Sequence, residues 1–165
     1  MSLLLNMEDF KIVSEELKKR AQVEESKGNK TLRKRLNYTA NIYIALDDKG
    51  VKPADLNDQL KELRTLLDRP LLKPSEVTRY YTKLLSAVQK QFGYVPEKYH
   101  QNQWMAIGMA AFGMPFGILF GFALDNMAFL GIGLPIGMPI GMAIGMQKDK
   151  QAKEQGLQLQ ISCDF

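Results

Sequence analysis

Read along the chain, apolar positions recur first at helical spacing and later almost without interruption. Over residues 4–27, Phe10, Val13, Leu17 and Ala21 fall at i, i+3, i+7 and i+11 between charged pairs. That is the pattern of one buried face on an amphipathic helix. Gly28-Asn29 marks its stop. A second helix is predicted over about 31–46, with Leu32, Leu36, Ala40, Tyr43 and Ile44 inward, followed by the turn Asp47-Asp48-Lys49-Gly50. Pro53 suits the first turn of a third helix, about 53–68, whose stripe is Leu56, Leu60, Leu63 and Leu67. Pro70 interrupts it. Pro74-Ser75-Glu76 opens a fourth, about 75–92, with Val77, Tyr80 or Tyr81, Leu84, Leu85 and Val88 inward, and Gly93 and Pro96 end it. No stretch alternates with the period of a strand. Four helices with short loops predict a soluble helical bundle over residues 1–97, its aromatics serving as core.

At Trp104 the pattern changes. Residues 104–146 are 43 positions whose only ionisable side chain is Asp125. A helix rises about 1.5 Å per residue, so about 20 residues cross about 30 Å of hydrocarbon, and this stretch is long enough to do so twice. Asp125-Asn126 lies at its middle, and both residue types favour turns. The chain is therefore expected to be all-α, a soluble helical bundle followed by a two-helix transmembrane hairpin. The spans are expected at about 104–124 and 127–146, the turn at 125–126, an interfacial linker at 98–103 and a polar cytoplasmic tail at 147–165. Tyr99 and Trp104 before the first span, and Lys148 and Lys150 after the second, are the expected interface anchors. The turn has no Lys or Arg, so the positive-inside rule puts both termini in the cytoplasm and the hairpin in the inner (plasma) membrane.

The second span is a tetrad repeat in which Gly133, Gly137, Gly141 and Gly145 fall four apart, flanked by Ile132, Ile136, Ile140 and Ile144. The first span carries a shorter row, Gly113, Gly117 and Gly121, flanked by Phe112, Phe116 and Phe120. Between helices in lipid there is little hydrophobic drive, so association depends on close van der Waals contact, which rows of glycine allow. The second row exceeds the first by one residue, which leaves small surface near Gly145 and favours contact beyond the hairpin. Pro115, Pro135 and Pro139 each remove a backbone donor. From Gly113 to Gln158 the chain resembles bacterial glycine-zipper proteins. The resemblance rests on Gly-Met-Pro-Phe-Gly-Ile-Leu-Phe-Gly, the Asp125-Asn126 turn, the tetrads and the trailing Lys148-Asp-Lys-Gln-Ala-Lys-Glu-Gln-Gly. It implies a membrane-inserting, self-associating element, since some members of that class line channels or permeabilise membranes.

Composition narrows the chemistry. A mean hydropathy of −0.21 averages two unlike parts, because residues 104–146 hold nine of the 13 Gly and seven of the nine Met. The lone Cys163 excludes an internal disulfide and any zinc site that needs two thiolates. The lone His100 excludes HExxH chemistry, and no nucleophile–base pair or phosphate loop is present, so no enzyme and no cofactor are expected. The amino terminus lacks a basic segment and a long apolar run, so no signal peptide is read there, and Cys163 is one place too late for prenylation. The net charge of +4, with acidic residues mixed throughout and no aromatic platform, argues against nucleic acid. Lys30, Arg33, Lys34 and Arg35 form a short basic cluster, either a solvated helix face or a contact with anionic lipid. The expected partners are membrane lipids, further copies of the chain, and a protein at the N-terminal bundle. Two functions are expected. One is a self-associating pore-forming or permeabilising effector under control of its helical domain, with Asp125 and Asn126 at the pore mouth. The other is a membrane-anchored scaffold or adaptor whose helical domain binds a protein.

Overall fold

The computed structural model describes residues 9–126 and 130–161 and is mostly helical. The chain divides into two compact units, one made of residues up to Tyr94 together with those from Leu159 onward, the other of Val95–Gln158.

In the first unit, helix α1 (Phe10–Ser26) starts where the Asp9 carboxylate accepts the Lys11 amide at 2.8 Å. Residues 4–8 of the predicted first helix lie outside the described residues. Helix α2 (Lys30–Asp48) is capped by the Asn29 side chain, which accepts the Leu32 amide at 3.3 Å. A single 3₁₀ turn, Pro53–Leu56, leads into α3 (Asn57–Leu67). Helix α4 (Pro74–Phe92) has proline at its first position and ends at Gly93, whose φ of 73° is the left-handed cap that glycine adopts without strain.

The predicted stripes form the core of this unit. Phe10, Val13, Leu17 and Ala21 meet Leu32, Leu36 and Tyr43 in one cluster with Leu56, Leu60, Leu63, Val77, Leu84 and Val88. Three positions shift. Ile42 and Leu46 are buried where Ile44 is only half-buried, because α2 packs against α1 and α4 at once and so buries more of its circumference. Leu66 is buried and Leu67 half-buried. Of the two tyrosines predicted as alternatives, Tyr80 takes the core, while the Tyr81 ring meets the edge of Tyr38 at 5.6 Å. Leu159 and Ile161, read from the sequence as part of a polar tail, are 0% and 3% exposed and belong to this same core. They are the only large apolar residues of the described tail beyond Leu157, and burying them removes about 1.5–3 kcal/mol of transfer cost each.

The second unit is a helix pair. Val95–Pro96 (β1) and Gln158–Leu159 (β2) pair as two-residue strands, which the absence of alternation did not predict, and the Val95 amide donates to the Leu157 carbonyl at 3.0 Å. Helix α5 (Tyr99–Gly108), a π-helical segment (Met109–Gly113) and α6 (Met114–Ala123) run on as one helix. It is paired with α7 (Leu130–Glu154). The first helix thus begins inside the predicted linker, and α7 continues past Met146 through residues rich in Lys, Gln and Glu, which propagate a helix readily.

Candidate functional site: the glycine-faced helix pair

The two glycine rows face each other. A Cβ built on Gly133 would come within 3.0 Å of backbone atoms of Gly113 and Gly117. The same holds for Gly137 against Gly108 and Gly113, for Gly141 against Trp104 and Gly108, and for Gly145 against His100 and Gln101. Numbers rise along one helix as they fall along the other, so the pair is antiparallel. Gly113, Gly117 and Gly121 are buried, as are Gly133, Gly137, Gly141 and Gly145. The small surface expected to remain near Gly145 is therefore covered by the backbone at His100 and Gln101.

Gly108 joins this row although it stands five residues before Gly113. Four residues of α-helix advance about 400°, which keeps a face; five advance about 500°, which turns it by about 140°. The π segment resolves the mismatch. The Met114 amide donates to the Met109 carbonyl, five residues back, so one extra residue is absorbed in the turn and Gly108 stays in phase. Pro115 follows at once and cannot donate to the helix, so the ladder is interrupted there in any case.

A second clasp lies at the open end of the pair. The Asp149 carboxylate accepts the His100 and Gln101 amides, each at 2.9 Å, and Asp149 is 8% exposed. The residue before α5, Lys98, has a φ of 57° and offers no capping side chain. Asp149 therefore caps α5 from the other helix, satisfying two orphan amides and placing negative charge at the positive end of the helix dipole. Its place in a polar segment gave no sign of this role.

At the other end, Asp125 has a φ of 46°, the Asn126 amide donates to the Gly121 carbonyl at 3.0 Å and the Asp125 amide to the Phe122 carbonyl at 3.3 Å. These bonds form a Schellman cap, so the pair acts as a helix stop. Residues 127–129 of the predicted second span lie outside the described residues. Among the predicted anchors, Trp104 is half-buried with the Lys148 ammonium 5.3 Å from its ring centroid, Tyr99 stands edge-on to His100 at 5.2 Å, and Lys150 lies 3.9 Å from Glu154.

The outer surface of the pair is apolar. Ile12, Val23 and Leu71 apart, every exposed large apolar side chain among the described residues lies between Ile107 and Met146. They include the predicted flanking residues Phe112, Phe116, Phe120, Ile132, Ile136 and Ile140. The helix Tyr99–Ala123 is long and apolar enough to cross a membrane: its most apolar 18 residues have a mean hydropathy of 1.8, and 22% of them are buried.

The basic cluster of the first unit divides. Arg33 pairs with Glu25, and the Arg35 guanidinium donates to the Pro74 carbonyl at 2.6 Å, while Lys30 and Lys34 are exposed. In the same unit the Tyr43 and Tyr80 hydroxyls are hydrogen-bonded to each other, and Tyr80 also donates to the Gln59 carbonyl at 3.0 Å. Burial raises both phenols above the ordinary tyrosine value, because a phenolate there would lose its hydration. Comparison with known protein families, with curated proteins and with solved structures returns no match for this chain.

Proposed function

We propose that this chain is an integral membrane protein in which the α5–α6/α7 pair is a transmembrane hairpin anchoring the helical unit as a scaffold or adaptor for a protein partner. The observation that carries this reading is the mutual burial of the two glycine rows inside a pair whose outward surface is apolar. Such a surface in water would be a large exposed apolar patch, and in lipid it is the ordinary exterior of a membrane helix. The resemblance to glycine-zipper proteins points the same way. The first unit holds both Tyr94 and Leu159, so both ends of the hairpin return to it. This supports a re-entering anchor with both termini on one side of the inner membrane, the cytoplasmic side by the placement of Lys148, Lys150 and Lys153.

Self-association through a glycine row needs a row left uncovered, and each row here covers the other. A water-filled pore needs polar lining, and the surface left for neighbours is Phe, Ile, Leu and Met. The anchor is therefore the better reading. Reconstitution into liposomes loaded with a fluorescent dye tests it. The expected result is protein that floats with the vesicles, resists carbonate extraction and leaves them tight. Dye release at one to a few chains per vesicle would replace the anchor with the permeabilising effector, and failure to float would end the membrane reading.

A further inference from the structure

The face of α7 turned away from the glycine row changes character along its length. Pro135, Met138, Pro139, Met142, Ala143 and Met146 line an open apolar groove of about 390 Å³. Pro139 is two residues from Gly137, about 200° round the helix, so this groove lies opposite the hairpin contact. Met146 lies eleven positions on from Pro135, a rise of about 16 Å, close to half of a hydrocarbon core of about 30 Å. The groove is thus about one leaflet deep.

Where it ends, a polar recess of about 310 Å³ begins, and Met146 lines both. Lys150 and Lys153 continue the same face of α7 at helical spacing, and Lys98 and Gln101 close the recess from the start of α5. The acidic groups there are Glu97 and Asp149, with Glu154 3.9 Å from Lys150. Asp149 is committed to the His100 and Gln101 amides. With Asp149 committed, the ammonium groups of Lys98, Lys150 and Lys153 outnumber the one free carboxylate of the lining, Glu97, at the mouth of an apolar groove one leaflet deep.

We propose that this groove and recess bind one anionic phospholipid, an acyl chain lying against Pro139 and Met142 and the phosphate meeting Lys98, Lys150 and Lys153. The proposal rests on the membrane reading above. Its basis is the joining of two complementary chemistries at Met146: a basic recess alone would suit any anion, and an apolar groove alone any hydrocarbon.

The test uses the full chain in vesicles of phosphatidylcholine with a minority of phosphatidylglycerol, followed by detergent extraction and mass analysis of the lipid kept by each chain. The expected result is retained phosphatidylglycerol well above its share of the vesicle. A lysine beside an anionic surface accounts for about fivefold in preference, so Lys150→Gln and Lys153→Gln should each lower the enrichment about that much. Ala143→Phe, which fills the groove without touching charge, should lower it too. Lys148→Gln, whose ammonium lies over Trp104 and not in the recess, should leave it unchanged. Equal enrichment in all variants, or the same loss in Lys148→Gln as in Lys150→Gln, would overturn the site while flotation keeps the membrane reading intact. Protein that does not float removes both.

Discussion

Two glycines in the same helix separate the effects of packing and propensity. Gly131 and Gly137 both lie in α7, yet a Cβ at Gly131 meets nothing within 4 Å while one at Gly137 would be driven into the backbone at Gly108 and Gly113. Alanine removes the propensity cost of glycine, about 1 kcal/mol, at either position. At Gly137 that gain is outweighed by forced separation of the helices, since overpacking a close contact costs about 1–3 kcal/mol. Gly137→Ala is therefore expected to destabilise the helix pair by about 1–3 kcal/mol and Gly131→Ala to leave it unchanged or slightly firmer. Denaturant unfolding in detergent micelles, followed through the fluorescence of the single tryptophan Trp104, reads the difference directly. Equal effects at the two positions would mean that the rows do not set the contact. The seven row glycines are legible in the sequence because a four-residue interval shows in a plain string. Asp149 is not, because its importance depends on Gly145 bringing α7 against the start of α5, and a string of Lys, Asp and Gln carries no trace of that approach.

At the scale of the element, the π segment is the device that lets an irregular interval serve a regular contact. Its existence follows from three conditions together: a five-residue step from Gly108 to Gly113, Pro115 just beyond, and a facing helix whose Gly137 and Gly141 come so close that position 108 must be glycine. Only the first two can be read from the sequence, so Gly108 is missed as a member of the row while Gly113, Gly117 and Gly121 are found. Helix boundaries are missed for a similar reason. The polar residues after Met146 look like a tail until the Asp149 cap is known, and the cap is what makes their helix worth continuing. Deleting Ala111 shortens the interval to four residues, at which an ordinary α-helix keeps all the glycines in phase. The deletion is expected to abolish the π turn and to preserve the pair within about 1 kcal/mol, since the four-residue advance of about 40° is the one the rest of the row already uses. Deleting Ile118 instead turns a four-residue interval into three and rotates one half of the row away by about 100°, which should abolish cooperative unfolding of the pair. Hydrogen exchange of the α5 and α6 amides distinguishes the two deletions. If loss of Ala111 exposed those amides as fully as loss of Ile118, the π turn would have some role other than phasing.

For the whole molecule, the decisive feature is that the helix pair is inserted within the helical unit and not appended to it. The chain leaves that unit after Tyr94 and rejoins it at Leu159, and the returning segment supplies Leu159 and Ile161 to a core otherwise built from residues before Tyr94. Insertions of this kind are tolerated when the two ends of the insert lie close together, and an antiparallel helix pair supplies such ends. The four stripes of the bundle are legible in the sequence because each is periodic. Two isolated apolar residues after a charged stretch have no period, so their membership in the core appears only in three dimensions. The consequence is an asymmetry in how the units depend on residue 159. Leu→Ala in a fully buried site costs about 2–5 kcal/mol, and for a unit of roughly 100 residues each kcal/mol is about 4–8 °C of melting temperature. Leu159→Ala should therefore lower the melting of the helical unit by about 10 °C or more, as followed by near-ultraviolet dichroism of its buried tyrosines Tyr43 and Tyr80. The helix pair is held by its own glycine contacts and by the Asp149 cap, so the transition reported by Trp104 should not move. Movement of both transitions together would show one cooperative fold in place of two, and movement of neither would remove Leu159 from the core.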